Sequence, residues 1–243
     1  MDNKLGFHDN ILSRLLKTRD KQRDVLVLNV LLLGDRQSGR SSVGNALIGG
    51  DEFQTGTCVS GVSMTTELRV LSRKFPAYFR RQGAESDLVL RVLDTPPVKL
   101  RPQSLQELCP GGVHVLVVVI RVDQLSENSL LLSHTESLFG PDWRRHAMLV
   151  FTHADQLEKA GLQPPAFLTQ SSDWLSSLAE EVGGGVLFLD NSCDWPSIRG
   201  RPIRDQLLRL SAKNHHKALQ FRSCNPPSLL TTVRGEFSPT STS

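Results

Sequence analysis

A run of aliphatic residues from Val25 to Leu33 leads directly into Gly34-Asp35-Arg36-Gln37-Ser38-Gly39-Arg40-Ser41, and no other stretch of the chain restricts the fold as tightly. The spacing is that of G-x-x-x-x-G-K-[ST], with Arg40 where the pattern carries lysine. Behind it, Ser41-Ser42-Val43 followed by Ala46-Leu47-Ile48 can open as a helix. Strand, glycine-rich turn and helix start together form a phosphate cradle. The backbone N–H groups of the turn and the positive end of the helix dipole are aimed at the same anionic oxygens.

Apolar runs alternate with helical stretches from Val25 onward. Strands are predicted at 25–33, 67–75, 88–93, 113–121, 147–151 and 186–190. Most are near-continuous Val/Leu runs, the pattern of strands covered on both faces. Residues 124–139 carry helical spacing that stops at Gly140-Pro141, and Pro164-Pro165 opens a helix running to Val182 before Gly183-Gly184-Gly185. A final helix begins near Pro202, whose missing N–H costs nothing in a first turn, and a short helix is allowed near 98–108. The order βαββαβαβαβα predicts an α/β, P-loop NTPase-like fold, doubly wound, with helices on both faces of a mostly parallel sheet. Residues 1–24 form an N-terminal segment in which Ile11, Leu12, Leu15 and Leu16 allow a short helix. The domain proper spans 25–222, and 223–243, rich in Ser, Thr and Pro, reads as a disordered tail.

With 39% apolar and 22% charged residues the 243-residue chain can bury a full core, and its net charge of +3 is only mildly basic. Basic residues are scattered, and the short runs Arg80-Arg81 and Arg199 to Arg204 read as solvated faces, so nucleic acid is not an expected partner. Cysteines 58, 109, 193 and 224 form no metal or disulfide pattern. No leader is visible and the apolar runs are too short to span a bilayer, so a cytoplasmic protein without a transmembrane anchor is expected.

In a doubly wound sheet, ligands sit beyond the carboxyl ends of the strands. Three further strand tips carry suitable groups. Strand 88–93 ends in Asp94-Thr95-Pro96-Pro97, where an aspartate can reach the Mg²⁺ of a bound triphosphate. Strand 147–151 ends in Thr152-His153-Ala154-Asp155, and a carboxylate there can accept two hydrogen bonds from the N1 and N2 edge of guanine. Strand 186–190 ends in Asp190-Asn191-Ser192, placed to close the other side of the base. Singly, such segments are turns and caps; their order after the glycine-rich loop is what makes them a guanine-nucleotide footprint.

The run Gly34 to Gly49 resembles the first motif of the immunity-associated (AIG1-type) G domains, GxxxxGKSxxGNxxLG. Gly44-Asn45, Phe53 and Thr55, Asp94-Thr95-Pro96, a T-x-x-D replacing N-K-x-D, and Asp190-Asn191 fit the same family. The likeness runs from about Val25 to His216 and is greatest to a short single-domain form. It implies that Gly34, Asp35, Arg36, Gln37, Ser38, Gly39, Arg40, Ser41 and Ser42 wrap the phosphates of GTP or GDP, with Ser41 on Mg²⁺. Thr55 would sit near the nucleotide. Thr65, with Ser63 and Thr66 as close rivals, would complete the Mg²⁺ shell together with Ser41 and Asp94. His153, Ala154, Asp155 and Asn191 would line the base, and the resemblance also implies self-association through the G domain.

Two departures bear on activity. Arg40 keeps a positive charge but replaces a compact ammonium with a planar fork, and a side chain facing solvent with phosphate affinity lost is the alternative. Pro97 stands where the family's DTPG has glycine and has no N–H to offer a third phosphate. Nor does an obvious glutamine stand just beyond it to orient an attacking water. The chain therefore reads as a guanine-nucleotide-binding, switch-like protein with weak or no hydrolysis, at most a slow GTPase with no catalytic residue assigned. The alternative is a nucleotide-free pseudo-GTPase acting as a scaffold. His134, inside a helix, reads as a surface residue, and the three tryptophans suit packing.

Overall fold

The computed structural model describes residues 23–53, 68–95, 102–125, 129–190 and 196–222. Its strands are β1 (Asp24–Gly34), β2 (Arg69–Arg81), β3 (Ala84–Asp94), β4 (Val115–Arg121), β5 (Ala147–Thr152) and β6 (Val186–Leu189). Its helices are α1 (Arg40–Ile48), α2 (Pro102–Leu108), α3 (Ser129–Phe139), α4 (Asp155–Lys159), α5 (Pro164–Gln170), α6 (Asp173–Glu181) and α7 (Pro196–Lys213), with a 3₁₀ turn at Pro141–His146. The sheet order is β2-β3-β1-β4-β5-β6. β1 pairs in parallel with both β3 and β4, β4 with β5 and β5 with β6, whereas β2 runs antiparallel to β3. The doubly wound, mostly parallel α/β expectation holds. Because the chain builds outward from β1 in both directions, the carboxyl end of β1 is the switch point where a crevice opens.

The Val/Leu strands separate two cores. Leu28, Val30 and Leu32 of β1 join Val117 and Val150 under Val43 and Leu47 of α1 and Ile203 and Leu207 of α7. Leu31 and Leu33, one residue out of phase, join Val118 and Phe151 on the other face, under Leu105, Leu138, Phe167 and Leu175. Period-2 alternation with apolar residues at both phases is what a sheet buried on both faces requires.

Several element bounds differ from the sequence reading. β2 passes the expected end at residue 75 and reaches Arg81 through a register shift between Phe75 and Phe79. Pro76 lies within that bulge on an edge strand, where its missing N–H costs no ladder bond. The Ala77 N–H donates to Asp87 Oδ1 at 2.9 Å. The β2–β3 turn places both Gln82 (φ 50°) and Gly83 (φ 81°) in the left-handed region, as a two-residue hairpin demands. The helix expected over 124–139 starts at Ser129, and the helix expected over 164–182 is two helices. Ser171 and Ser172 are extended between them, and the Ser171 hydroxyl donates to the Leu168 carbonyl at 2.6 Å. That local bond competes with helix continuation.

The last helix starts at Pro196, so Pro202 lies inside it and not in its first turn. Helix α7 presses on the end of α1, where a side chain at Gly200 would collide with the Ala46 carbonyl. Arg204, expected on a solvated face, is buried. Its Nη1 donates to the carbonyls of Ala46 (2.9 Å) and Leu47 (3.1 Å), and its guanidinium lies 4.7 Å over the Phe75 ring. A cation on the final carbonyls of α1 suits the negative end of that helix. The segments 1–22, 54–67, 96–101, 126–128, 191–195 and 223–243 lie outside the described residues, and with them the expected N-terminal helix and tail.

Candidate nucleotide site

Between β1 and α1 the backbone turns sharply, with Gln37 at φ 59° and Gly39 at φ 88°. A β-carbon on Gly34 would stand 2.5 Å from the Val119 carbonyl and 2.6 Å from Ser38 Oγ, so glycine is needed for the loop to close on itself. Ser38 Oγ is buried inside that ring without a hydrogen-bond partner among the described residues. An acceptor-rich group in the cradle would satisfy it, which is the fit expected of a phosphate.

Arg40 follows at the first turn of α1 and is 6% exposed. The solvent-facing alternative for this side chain is therefore corrected. Its Nη1 donates to Thr95 Oγ1 at 3.4 Å, and Thr95 in turn donates to the Leu32 carbonyl at 2.8 Å. Burial lowers the guanidinium's pKa, and the carboxylates of Asp94 and Asp35 offset part of that effect. Ser41 Oγ donates to Asp94 Oδ2 at 2.7 Å, so the hydroxyl and carboxylate expected to share Mg²⁺ meet although 53 residues apart. An alcohol beside a carboxylate is a hard, all-oxygen donor set that fits Mg²⁺.

The base-side segment meets the loop through a residue to which the sequence reading gave no role. Thr152, fully buried at the tip of β5, donates its hydroxyl hydrogen to the Ser38 carbonyl at 2.7 Å. A β-carbon on Gly39 would approach the Thr152 side chain to 3.0 Å, which adds a steric reason for that glycine. The signal for Thr152 lay in the T-x-x-D spacing itself. His153 adopts a left-handed backbone (φ 58°), and the Ala154 N–H donates to the Leu189 carbonyl at 3.2 Å, tying β5's tip to β6. Asp155 opens α4. Lys159 Nζ and Gln156 Nε2 each donate to its Oδ2 at 2.8 Å, and the Lys159 bond leads in holding its carboxyl below the ordinary range.

A cleft of about 330 Å³ lies between the loop residues Asp35, Arg36 and Ser38 and the end of β4, where Arg121 and Gln124 line it. Arg121 makes a two-pronged pair with Asp123, at 2.6 and 2.9 Å, a feature the sequence did not single out. Asn45 and Phe53, expected only as a family signature, form a clamp. Asn45 Nδ2 donates to the Phe53 carbonyl at 2.9 Å and the Phe53 N–H donates to Asn45 Oδ1 at 2.8 Å. Gly44 makes room for the Phe53 ring, which a β-carbon would meet at 2.8 Å. Thr55, Thr65 with its rivals Ser63 and Thr66, Pro97 and Asn191 lie outside the described residues. Gly34, Ser38, Arg40, Ser41, Asp94 and Thr152 come together. His134 is half-buried in α3.

A mostly parallel sheet wound this way, with a glycine-rich loop after β1 and an aspartate ending the adjacent β3, is the fold of a P-loop GTPase G domain. Structures of Toc33 from Arabidopsis thaliana share it. The complex with GDP and Mg²⁺ superposes with a TM-score of 0.54 at 19% identity, covering 90% of this chain and 96% of that one. A dimerization-deficient mutant of Toc33 gives 0.54 at 20%, covering 85% and 91%.

The chain belongs to the AIG1 family, which it matches over residues 28–209. It is similar to immune-associated nucleotide-binding protein 4 of Arabidopsis thaliana, with 23% identity over 199 residues, 76% of this chain and 58% of that protein. It is also similar to GTPase IMAP family member 8 of Homo sapiens, with 28% identity over 175 residues, 68% of this chain and 24% of that protein. The chain spans about half the length of the first Arabidopsis relatives it matches, 58% and 47% for two of them. Among the described residues no helix is long and apolar enough to cross a membrane.

Proposed function

We propose that this chain binds GTP and GDP with Mg²⁺ as a switch-like protein whose hydrolysis is weak or absent. The reading rests above all on the convergence of the tips of β3 and β5 on the loop that follows β1, with Ser41 on Asp94 at 2.7 Å and Thr152 on the Ser38 carbonyl at 2.7 Å. The names of the relatives, a nucleotide-binding protein and a GTPase, and the GDP and Mg²⁺ of the Toc33 complex support guanine nucleotide as the ligand. The loop N–H groups and Ser38 would hold the phosphates, Arg40 would place its charge beside them, and Asp155 would take the guanine edge. Mg²⁺, when bound, would neutralise phosphate charge. Pro97 has no N–H for a third phosphate, which argues against efficient turnover. Self-association through the G domain is part of this proposal, and the dimerization of Toc33, implied by its dimerization-deficient mutant, supports it.

A second reading, a scaffold without nucleotide, draws on Arg40, whose guanidinium already engages Thr95 at the end of β3. Calorimetric titration of the chain with GDP and a non-hydrolysable GTP analogue in Mg²⁺ separates the two. Micromolar or tighter binding supports the switch, and no heat at millimolar nucleotide supports the scaffold. Asp155→Asn shifts preference from guanine to xanthine; an unchanged preference removes Asp155 from the base pocket.

A further inference from the structure

The contacts of one hydroxyl at the tip of β5 determine where a histidine keeps its proton. Among the described residues, Thr152 Oγ1 has two polar neighbours, the Ser38 carbonyl at 2.7 Å and His153 Nδ1 at 3.2 Å. A hydroxyl carries one hydrogen, and a carbonyl oxygen can only accept. The Thr152 hydrogen is therefore committed to Ser38, and toward His153 the hydroxyl can act only as acceptor. His153 must then carry its hydrogen on Nδ1. A neutral imidazole has a single N–H, so its Nε2 is left with an open lone pair.

Surrounding groups favour that neutral ring. Burial lowers the His153 pKa and the Arg121 cation lowers it further, while Asp123 and Asp155 pull the other way. The ring is half-buried and its left-handed backbone sets it between the Thr152 tether and the Ala154–Asp155 turn.

We propose that Thr152 and His153 form a directional hydrogen-bond relay that couples the nucleoside subsite to the phosphate loop. In this relay Nε2 of His153 accepts from an N–H or O–H donor of the bound nucleoside, Nδ1–H donates to Thr152 Oγ1, and Thr152 donates to the Ser38 carbonyl. The relay positions Ser38, and with it the buried Ser38 hydroxyl, in response to the nucleoside. Its ligand end rests on the guanine-nucleotide reading above; its protein end does not.

The test begins without ligand. In ¹⁵N-histidine spectra of the full chain, His153 is expected to show a protonated Nδ1 and an unprotonated Nε2. Thr152→Val, which keeps the shape and removes the hydroxyl, is expected to abolish that preference, and Thr152→Ser to retain it. With GDP, Thr152→Val should bind about tenfold more weakly, while Thr152→Ser stays within about threefold. His153→Phe identifies the donor. It should reduce discrimination between GDP and inosine diphosphate, leaving the part Asp155 supplies, if the exocyclic amine is the donor, or erase discrimination between GDP and 2′-deoxy-GDP if the ribose hydroxyl is. An Nε2–H tautomer in the wild-type chain, unchanged GDP affinity in Thr152→Val, or full retention of both discriminations in His153→Phe overturns the relay. A wild-type chain with the expected tautomer that binds no guanine nucleotide overturns both the ligand end and the functional reading. GDP binding with the wrong tautomer overturns the relay alone.

Discussion

Removing the side chain of Asn45 should unfasten the start of the segment that leaves α1. Asn45 is 3% exposed and Phe53 1%, and the two carboxamide bonds satisfy both backbone groups of Phe53, at 2.8 and 2.9 Å. Asn45→Ala forfeits both bonds, each worth a net of about 1 kcal/mol. It also strands a buried N–H and C=O whose desolvation adds about 1 kcal/mol or more. A loss of about 3 kcal/mol is expected. For a domain of this size that corresponds to a Tm lower by roughly 6–12 °C. Urea unfolding followed by tryptophan fluorescence reads it directly, with an unchanged m-value if only the native state is affected. Asn45→Asp serves as the control for packing. It keeps the volume but sets an anionic oxygen against the Phe53 carbonyl, so it should cost at least as much as alanine. A loss below about 0.5 kcal/mol for Asn45→Ala, or a nearly neutral Asn45→Asp, would refute the clamp as the reason for this asparagine.

Three further outcomes are expected. Gly34→Ala drives a methyl to 2.5 Å from the Val119 backbone oxygen, so the loop must open; thermal unfolding should show a loss of about 1–3 kcal/mol and calorimetry a weaker GDP response. Arg40→Lys restores a compact charge inside the loop and should raise GDP affinity; a fall would mean that the guanidinium on Thr95 is the better partner for phosphate. Burial leads in lowering the pKa of His114, His153 and His216 below the ordinary 6.5, so the unfolded chain takes up these protons at a higher pH than the folded one. Stability is then fully present above about pH 6.5 and declines as acid is added below it. A Tm that stays level from pH 7.5 to 5.5 would contradict this, all the more because protonating His114 Nδ1 also breaks its bond from the Asn29 N–H.

Where the structure departs from the sequence reading, a polar or punctuating residue was read by its local habit. Pro76 ends a strand by habit, yet β2 carries it through a bulge at the sheet edge. Pro202 opens helices by habit, yet it sits within α7. Ser171 and Ser172 look compatible with a long helix, and the Ser171 hydroxyl instead takes the Leu168 carbonyl. Arginines in a basic run look solvated, yet Arg204 caps α1 and lies over Phe75. The local preference is about 1 kcal/mol for the serines and about 3 kcal/mol for a proline within a helix, and packing overrides both.

Strand, glycine-rich turn, helix and the succession of elements along the chain were legible in the sequence alone. Aliphatic runs, left-handed glycines and helical spacing express themselves within a few residues of one another. The family resemblance anticipated that Ser41 would meet Asp94 across 53 residues, but the tertiary structure alone decided the other polar partners: Thr152 finds Ser38 across 114, and Arg204 finds Ala46 across 158. A buried hydroxyl or guanidinium must be matched by whatever the folded chain brings beside it, and that neighbour is set by sheet order and helix packing, not by the residues adjoining it in sequence.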